Sequence, residues 1–540
     1  MFQQSLVLAG SLGITILLSL VPLIVLLFLL AGIRMTAWLA TLITGVITIP
    51  LGVFLWQAPF RPTMQAYWYG SLTGVWVIDW ITFWGLIIFN TLVVTGDFDT
   101  FQKWMLHHAT ADVRIQTLML AWAFGALLEG VVGFGYPWAV VAPILITLGI
   151  ADLEALRVAA LANNAPVSFG ALGSPILALS AVTSLPLLSL SASVGHIVAV
   201  LALFPTWVLL YLVSGWVGLV EAWPLAIVAS LAYIAGQWPV ARYWGPYLPD
   251  ISGSLVSFWA LYAFVKVWKP KTIRGFGGAP LTQTPAVVTA NPDAKIGALR
   301  AWLPYIILLV VVGIWTGPWL PKYFHVNLPG LSLHKWSVSA ISSVTHKAAA
   351  STFNFTPLSG GTSILVSWLV ILLFLRPTGA QLQEVFRKTF RQMWGALLVG
   401  FFIFGLAYTF VFTGMANSLA FGLSKIGPAF VILCPVLGWI GVALSGSNTS
   451  TNAMFGPVQA TAGGLLKMPA LLLPSLNSVG AEVGKPVAPQ TASVGVSTTR
   501  FVRSEGEVIR HNMSWTFVML GYLVLVGLLF YFFFPNLMQL

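Results

Sequence analysis

The chain has 540 residues, 58% of them hydrophobic and 7% charged, with a formal net charge of +11. A soluble domain carries roughly 25% charged residues, so most of this apolar surface must face lipid, which excludes a soluble globular protein. The excess basic residues stand beside apolar spans, at Lys266, Lys269, Lys271, Arg274, Lys295 and Arg300, at Arg376, Arg387, Lys388 and Arg391, and at Arg500, Arg503 and Arg510; this is a positive-inside pattern and excludes a nucleic-acid partner.

In chain order, MFQQSLVLAG has no charge before an apolar run to Leu30, which reads as a retained span and not as a cleaved signal. Apolar segments follow near 37–57, 70–94, 115–128, 136–150, 155–181, 194–217, 222–238, 251–267 and 301–320. The second half offers 336–350, 361–375, 393–414, 428–445, 452–475 and 513–535. Several are too short, or too rich in Gly and Pro, to be simple spans. The expected fold is therefore an all-α polytopic membrane protein of about 12–14 transmembrane helices with interrupted or re-entrant segments. If the three basic stretches are cytoplasmic loops, the amino and carboxyl termini both lie outside.

The stretch 269–300 is rich in Pro, Gly, Thr and charge and reads as a polar cytoplasmic connector between a first membrane half, 1–268, and a second, 301–540. The halves show weak homology. GALLEG at 125–130 resembles GVALSG at 441–446, and Asn163, Gly170 and Pro175 have the mutual spacing of Asn477, Gly484 and Pro489. An inverted repeat is expected, since broken helices are common in such folds.

Four segments break the apolar pattern: EGVVGFGYP at 129–137, NNAPVSFGALGSP at 163–175, SGSNTSTNAMFGP at 445–457 and NSVGAEVGKPVAPQ at 477–490. Irregular backbone is tolerated at membrane depth only where protein or a watery cavity surrounds it. The free helix ends then attract ions and substrate. One glycine motif alone would serve helix packing; four, with a hydroxyl and amide run after Gly446, point to a substrate pathway. Its candidate residues are Gly130, Gly133, Gly135, Asn163, Asn164, Ser445, Ser447, Asn448, Thr449, Ser450, Asn452, Asn477, Lys485 and Gln490.

Among ionisable residues deep in apolar segments, Glu129, Asp79 and Glu482 are the proton-coupling candidates, because lipid-buried carboxyls are rare and functional by default. The alternative for Glu129 is a structural role, fixed by amides at its break. Lys485 stands three residues from Glu482, so a structural ion pair between them competes with a substrate contact. Arg157 reads as snorkelling, His107 and His108 as loop residues, and His346 with Lys347 as weak pathway candidates. Cys434 is the lone cysteine, which excludes an intrachain disulfide and reads as a small packed hydrophobe. No metal site, cofactor or ATP-binding subunit is implied. SFGALG at 168–173 lacks the GK[ST] of a phosphate loop, so an ion gradient is the expected energy source.

At GALLEGVVGFGYPWAV, NNAPVSFGALGSPI, GVALSGSNTSTNAMFG and VGKPVAPQ the chain resembles the bacterial lactate permeases, over nearly its full length. The resemblance implies proton-coupled symport of L-lactate, with D-lactate and glycolate as further substrates, in the bacterial cytoplasmic membrane. The partners are then the monocarboxylate, protons and membrane lipids, with a homo-oligomer left open. It also implies that Glu129, with Gly130, Gly133 and Gly135, and the later Ser447, Thr449, Ser450 and Asn452 carry function. Asn448 and Asn354 stand where the resembled motifs carry aspartate, and Asp79 stands where no acid is expected. A sodium-coupled symporter or an exchanger of another small organic anion is the alternative. A membrane enzyme is remote, because no converging catalytic set accompanies Glu129.

Overall fold

The computed structural model describes residues 1–108, 110–133, 135–281, 298–497 and 499–540, with no side-chain description for 105–108 and 298–301. Among these, seven helices are long and apolar enough to cross a membrane: Leu12–Gly32, Ala37–Phe54, Phe60–Thr95, Leu187–Tyr243, Gly379–Thr413, Gly427–Ser445 and Glu505–Phe533. A bent pair, Asp152–Ala162 with Val167–Thr183, makes an eighth if its 64° break is counted as one span. Such helices persist in lipid because each satisfies its own backbone. Large apolar side chains such as Phe54, Trp216, Leu373 and Phe533 point outward, toward the lipid.

The sequence expectation of 12–14 spans counted pieces that the backbone breaks or merges. Leu187–Tyr243 absorbs two expected segments and turns at Gly215 (φ 63°). Tyr136–Thr147, Trp302–Thr316 and Gly360–Leu375 are apolar but shorter. The second basic stretch is no loop beyond Thr378, whose side chain caps the helix Gly379–Thr413.

One expected span is overturned. Residues 336–350 belong to a hairpin of strands β2 (His334–Ile341) and β3 (Ala348–Phe355), antiparallel, with the amino-terminal β1 (Phe2–Gln3) pairing parallel to β2. Ser, Thr and Lys alternate with apolar residues here, a period-2 pattern that buries one strand face. His346 and Lys347 fall in and beside the hairpin turn, where His346 is left-handed (φ 54°), so they line no buried pathway. Asn354 lies in β3, where it accepts a hydrogen bond from Ser332. The all-α expectation thus holds for the membrane body and misses this three-stranded sheet.

Ten helices position the site. In the first half they are α1 (Gly125–Val131), α2 (Tyr136–Thr147), α3 (Asp152–Ala162), α4 (Gly170–Thr183), α5 (Pro205–Tyr243) and α6 (Pro249–Val267). In the second they are α7 (Phe430–Ser445), α8 (Asn448–Leu465), α9 (Leu472–Gly484) and α10 (Pro489–Val496). Of the predicted connector, residues 269–281 are described, with Arg274 bridging to Pro280, and 298–300 open the helix Ala298–Thr316; 282–297 lie outside the described residues. His107 and His108 end a helix, Asp97–His108, and not a loop.

Candidate functional site

Each of the four sequence breaks separates two of these helices. Between α1 and α2, Gly133 (φ 68°) and Gly135 (φ 80°) adopt the left-handed backbone that glycine tolerates. Between α3 and α4 come Asn163, Asn164 and a 3-10 turn, Val167–Phe169. The start of α4 then runs left-handed at Ala171 (φ 45°), Leu172 (φ 54°) and Gly173 (φ 81°). Two of those residues carry side chains, at about 1–2 kcal/mol each, and such strain clusters at functional sites. Gly446 (φ 74°) turns the chain from α7 to α8, and Ser447 caps α8 by accepting the Ser450 N–H at 3.1 Å. A 3-10 turn, Lys485–Val487, joins α9 to α10.

These breaks meet. Glu129, in the last turn of α1, is 1% exposed, and its Oε1 receives Lys485 Nζ at 2.6 Å across 356 residues of chain. Its Oε2 accepts from Asn163 Nδ2 at 3.1 Å. The first residue of α4 must be small, since a Cβ on Gly170 would lie 2.6 Å from Glu129 Oε1. On the other flank, Glu482 Oε2 accepts the Ser168 N–H at 3.1 Å, while Ser478 donates to Ser168 Oγ at 3.2 Å. The sequence-based pairing of Lys485 with Glu482 is therefore corrected: the turn after Gly484 swings the lysine to Glu129.

An amide ladder backs this centre. Asn452 Nδ2 donates to the Pro175 carbonyl at 2.9 Å and to Ser478 Oγ at 3.1 Å. Its Oδ1 accepts from Asn477 at 2.9 Å, and Asn477 accepts from Gln459 at 2.9 Å. Asn448 Nδ2 reaches the Ser478 carbonyl at 3.1 Å. The Cys434 thiol donates to Gln459 and to the Leu473 carbonyl, so this cysteine anchors the ladder as well as packing.

Several buried polar atoms in and beside this centre have no hydrogen-bond partner: Asn163 Oδ1, both side-chain atoms of Asn164, Asn448 Oδ1 and Glu482 Oε1. Buried polar groups are nearly always paired, so these atoms are free to meet water or a polar ligand. Among the described residues no group of three or more His, Cys, Asp or Glu side chains is arranged to hold a metal ion.

The remaining predicted residues divide. Gly130 lies against α6, Gly133 against Ala171 and Gly135 against Thr491. Ser445, Ser447 and Thr449 are half-buried around the α7–α8 turn, with Thr449 reaching the Ser174 hydroxyl at 3.4 Å; Ser450 is buried. Gln490 is exposed and lies beside Gly446, outside the buried cluster. Asp79 is buried in a π-helical turn, Gly74–Asp79, with its carboxyl against Gly400 and Oδ2 unpartnered. It makes no ion pair among the described residues and does not join Glu129. Arg157 pairs with Glu154 at 3.0 Å and donates to the His511 carbonyl, so it is fixed and does not snorkel.

Sequence reading missed Asp250 and Tyr233. Asp250 is 1% exposed, in the first turn of α6, and Tyr233 on α5 donates to its Oδ1 at 2.9 Å. Oδ2 has no partner. A Cβ on Gly130 would sit 2.9 Å from Asp250 Cβ, so this acid backs directly onto the residue after Glu129. The available signal was PD opening an apolar helix; the expected span began one residue later. Three buried carboxyls, Glu129, Asp250 and Glu482, thus lie within electrostatic reach of one ammonium, Lys485.

Residues 15–535 match the family described as L-lactate permease. The chain is 34% identical over 545 aligned residues to a glycolate permease of Escherichia coli, covering 96% of each chain. It is 30% identical to an L-lactate permease of Salmonella typhi, covering 96% of each. A Bacillus subtilis L-lactate permease is 30% identical, with 95% of each covered.

Proposed function

Because this chain belongs to the L-lactate permease family, we propose that it imports L-lactate with protons across a bacterial cytoplasmic membrane, taking D-lactate and glycolate as further substrates. It works as a secondary transporter by alternating access, and not as an enzyme. The observation that carries this reading is the Glu129–Lys485 pair, 2.6 Å long, buried, and joining the first half to the second.

In this reading Glu129 and the substrate carboxylate compete for Lys485. While Glu129 is ionised it holds the ammonium. A proton arriving at Glu129 removes that attraction, and the freed lysine, a compact charge with three donors, takes the monocarboxylate. Unit charges 4 Å apart at an effective dielectric of about 20 attract by about 4 kcal/mol. Protonation therefore favours anion binding by up to roughly a thousandfold, enough to make proton and substrate travel together. The unpaired Asn164 Nδ2 donates to the substrate's carboxylate, and the unpaired Oδ1 atoms of Asn163, Asn164 and Asn448 accept from its hydroxyl.

The two halves, 1–268 and 301–540, act as an inverted repeat around this centre, linked by 269–300. Supporting this, Asp152 at the start of α3 pairs with Arg500, beyond the end of α10, at 2.8 Å. Ser168 and Glu482 meet midway, so α3–α4 and α9–α10 run antiparallel through their breaks. With the basic stretches 266–300, 376–391 and 500–510 taken as cytoplasmic, this reading keeps both termini outside.

The test is uptake of labelled L-lactate by proteoliposomes of the purified protein in sodium-free medium. Accumulation driven by an imposed inward proton gradient, and inhibited by unlabelled glycolate, is expected. Uptake that ignores the proton gradient and requires sodium would overturn proton coupling in favour of the sodium reading.

A further inference from the structure

The charge count at the centre does not close on Glu129 and Lys485. Their pair is neutral, and Asp250 and Glu482 remain with no cation of their own. Each bare carboxylate moved from water into a buried site costs several kcal/mol even after relaxation. Glu482 has two donors to share its charge, the backbone N–H and the hydroxyl of Ser168. Asp250 has one, Tyr233.

Among the described residues, four ionisable groups act on Asp250. Tyr233 comes from α5, Glu129 from α1, and Glu482 and Lys485 from α9 and the turn after it. The stretch Thr117–Phe124, which also packs on α6, has no ionisable residue. One turn beyond Tyr233 on α5, Gln237 is fully buried with both side-chain polar atoms unpartnered. Gly245, Pro246 and Tyr247, in the loop before Asp250, line a cavity of about 460 Å³. Asp250 thus follows a cavity-lining loop by three residues and backs onto Gly130, the residue after Glu129.

Resting on the reading of Glu129 as the coupling carboxylate, we propose that Asp250, positioned by Tyr233, is a second proton-bearing group that hands its proton to Glu129. In the transfer the Asp250 O–H bond breaks and a Glu129 O–H bond forms. Asp250 is left as a carboxylate accepting from Tyr233, Lys485 is released to the substrate, and the total charge of the cluster is unchanged. Asp250 regains its proton from the cavity side.

Proteoliposomes carrying wild type, Asp250→Asn, Tyr233→Phe or Glu129→Gln test this with labelled L-lactate. Two readouts are compared: accumulation driven by a proton gradient, and counterflow at equal pH, which needs binding and reorientation but no net proton movement. Asp250→Asn is expected to lose gradient-driven accumulation at least tenfold while keeping counterflow within twofold of wild type. Tyr233→Phe is expected to keep both and to move the pH profile of accumulation upward by about half a unit or more, because a donor to the carboxylate is lost.

Wild-type accumulation and pH profile in Asp250→Asn, beside an uncoupled Glu129→Gln, overturn the role of Asp250 alone. Wild-type accumulation in Glu129→Gln overturns the underlying reading instead. Equal loss of counterflow and accumulation in Asp250→Asn marks a structural residue and also defeats the proposal. Should that variant fail to yield folded protein, Tyr233→Phe decides: an unmoved pH profile overturns it.

Discussion

Two charge clusters in this protein, one half-buried and one fully buried, invite comparison. Where the connector leaves the membrane body, Asp112, Arg114, Glu221 and Arg274 form a closed set. Arg114 is fully buried and gives Asp112 two side-chain hydrogen bonds, at 2.8 and 2.6 Å, and Glu221 one at 3.1 Å. Arg274 gives Glu221 two more, at 2.7 and 2.6 Å. Two acids meet two bases, and all four carboxylate oxygens have partners. The hydrogen bonds to Glu221 also hold the Arg274 guanidinium above its already high ordinary pKa. At the centre, three carboxyls meet one ammonium, and two carboxyl oxygens are unpartnered. A balanced, saturated cluster can only hold; an unbalanced one can exchange protons and ligands.

That contrast is open to direct attack. The largest effect is expected from Lys485→Ala, which leaves Glu129 buried without its cation and removes the proposed anion contact. Counterflow and gradient-driven uptake of labelled lactate should both fall at least a hundredfold; near-normal counterflow would show that the anion binds elsewhere. Arg114→Met breaks the closed cluster and strands Asp112, which is 1% exposed. Removing one partner of a buried pair costs about 3–5 kcal/mol, so the detergent-solubilised protein should melt well below wild type. The pH profile of whatever protein reaches the vesicles should nevertheless be unchanged, and a moved profile would erase the distinction between holding and exchanging. The smallest effect is expected from Gly170→Ala, whose new Cβ would crowd Glu129 Oε1 at 2.6 Å. It should weaken lactate transport about tenfold, about 1.4 kcal/mol, with little change in melting; unaltered kinetics would mean that Glu129 has room to spare.

How much of this was legible in the sequence follows from the range of each interaction. The four breaks were, because left-handed turns demand local residues: Gly133, Gly135 and Gly446 announce themselves. So was the candidacy of Glu129 and Lys485. Their pairing was not, since it spans 356 residues and the nearer Glu482 offered a competing partner. Asp250 was hidden by its place at a helix start, where an acid is ordinarily solvated and favoured by the helix dipole. The hairpin at 334–355 was misread because apolar content outweighed its period-2 alternation in the count. Asp79 was rightly noticed as buried, but only the tertiary fold keeps it on Gly400, apart from the central cluster.

The exchange of a proton for an anion at Lys485 is tested most sharply by Glu129→Gln, which keeps the side-chain shape and removes the titrating group. Lactate counterflow at equal pH should persist, because Lys485 is permanently free to take the substrate. Accumulation against a gradient should vanish at every pH from about 5.5 to 8, since proton-coupled import fails without a group to carry the proton. Gradient-driven accumulation at wild-type rates, with the wild-type dependence on pH, would contradict it.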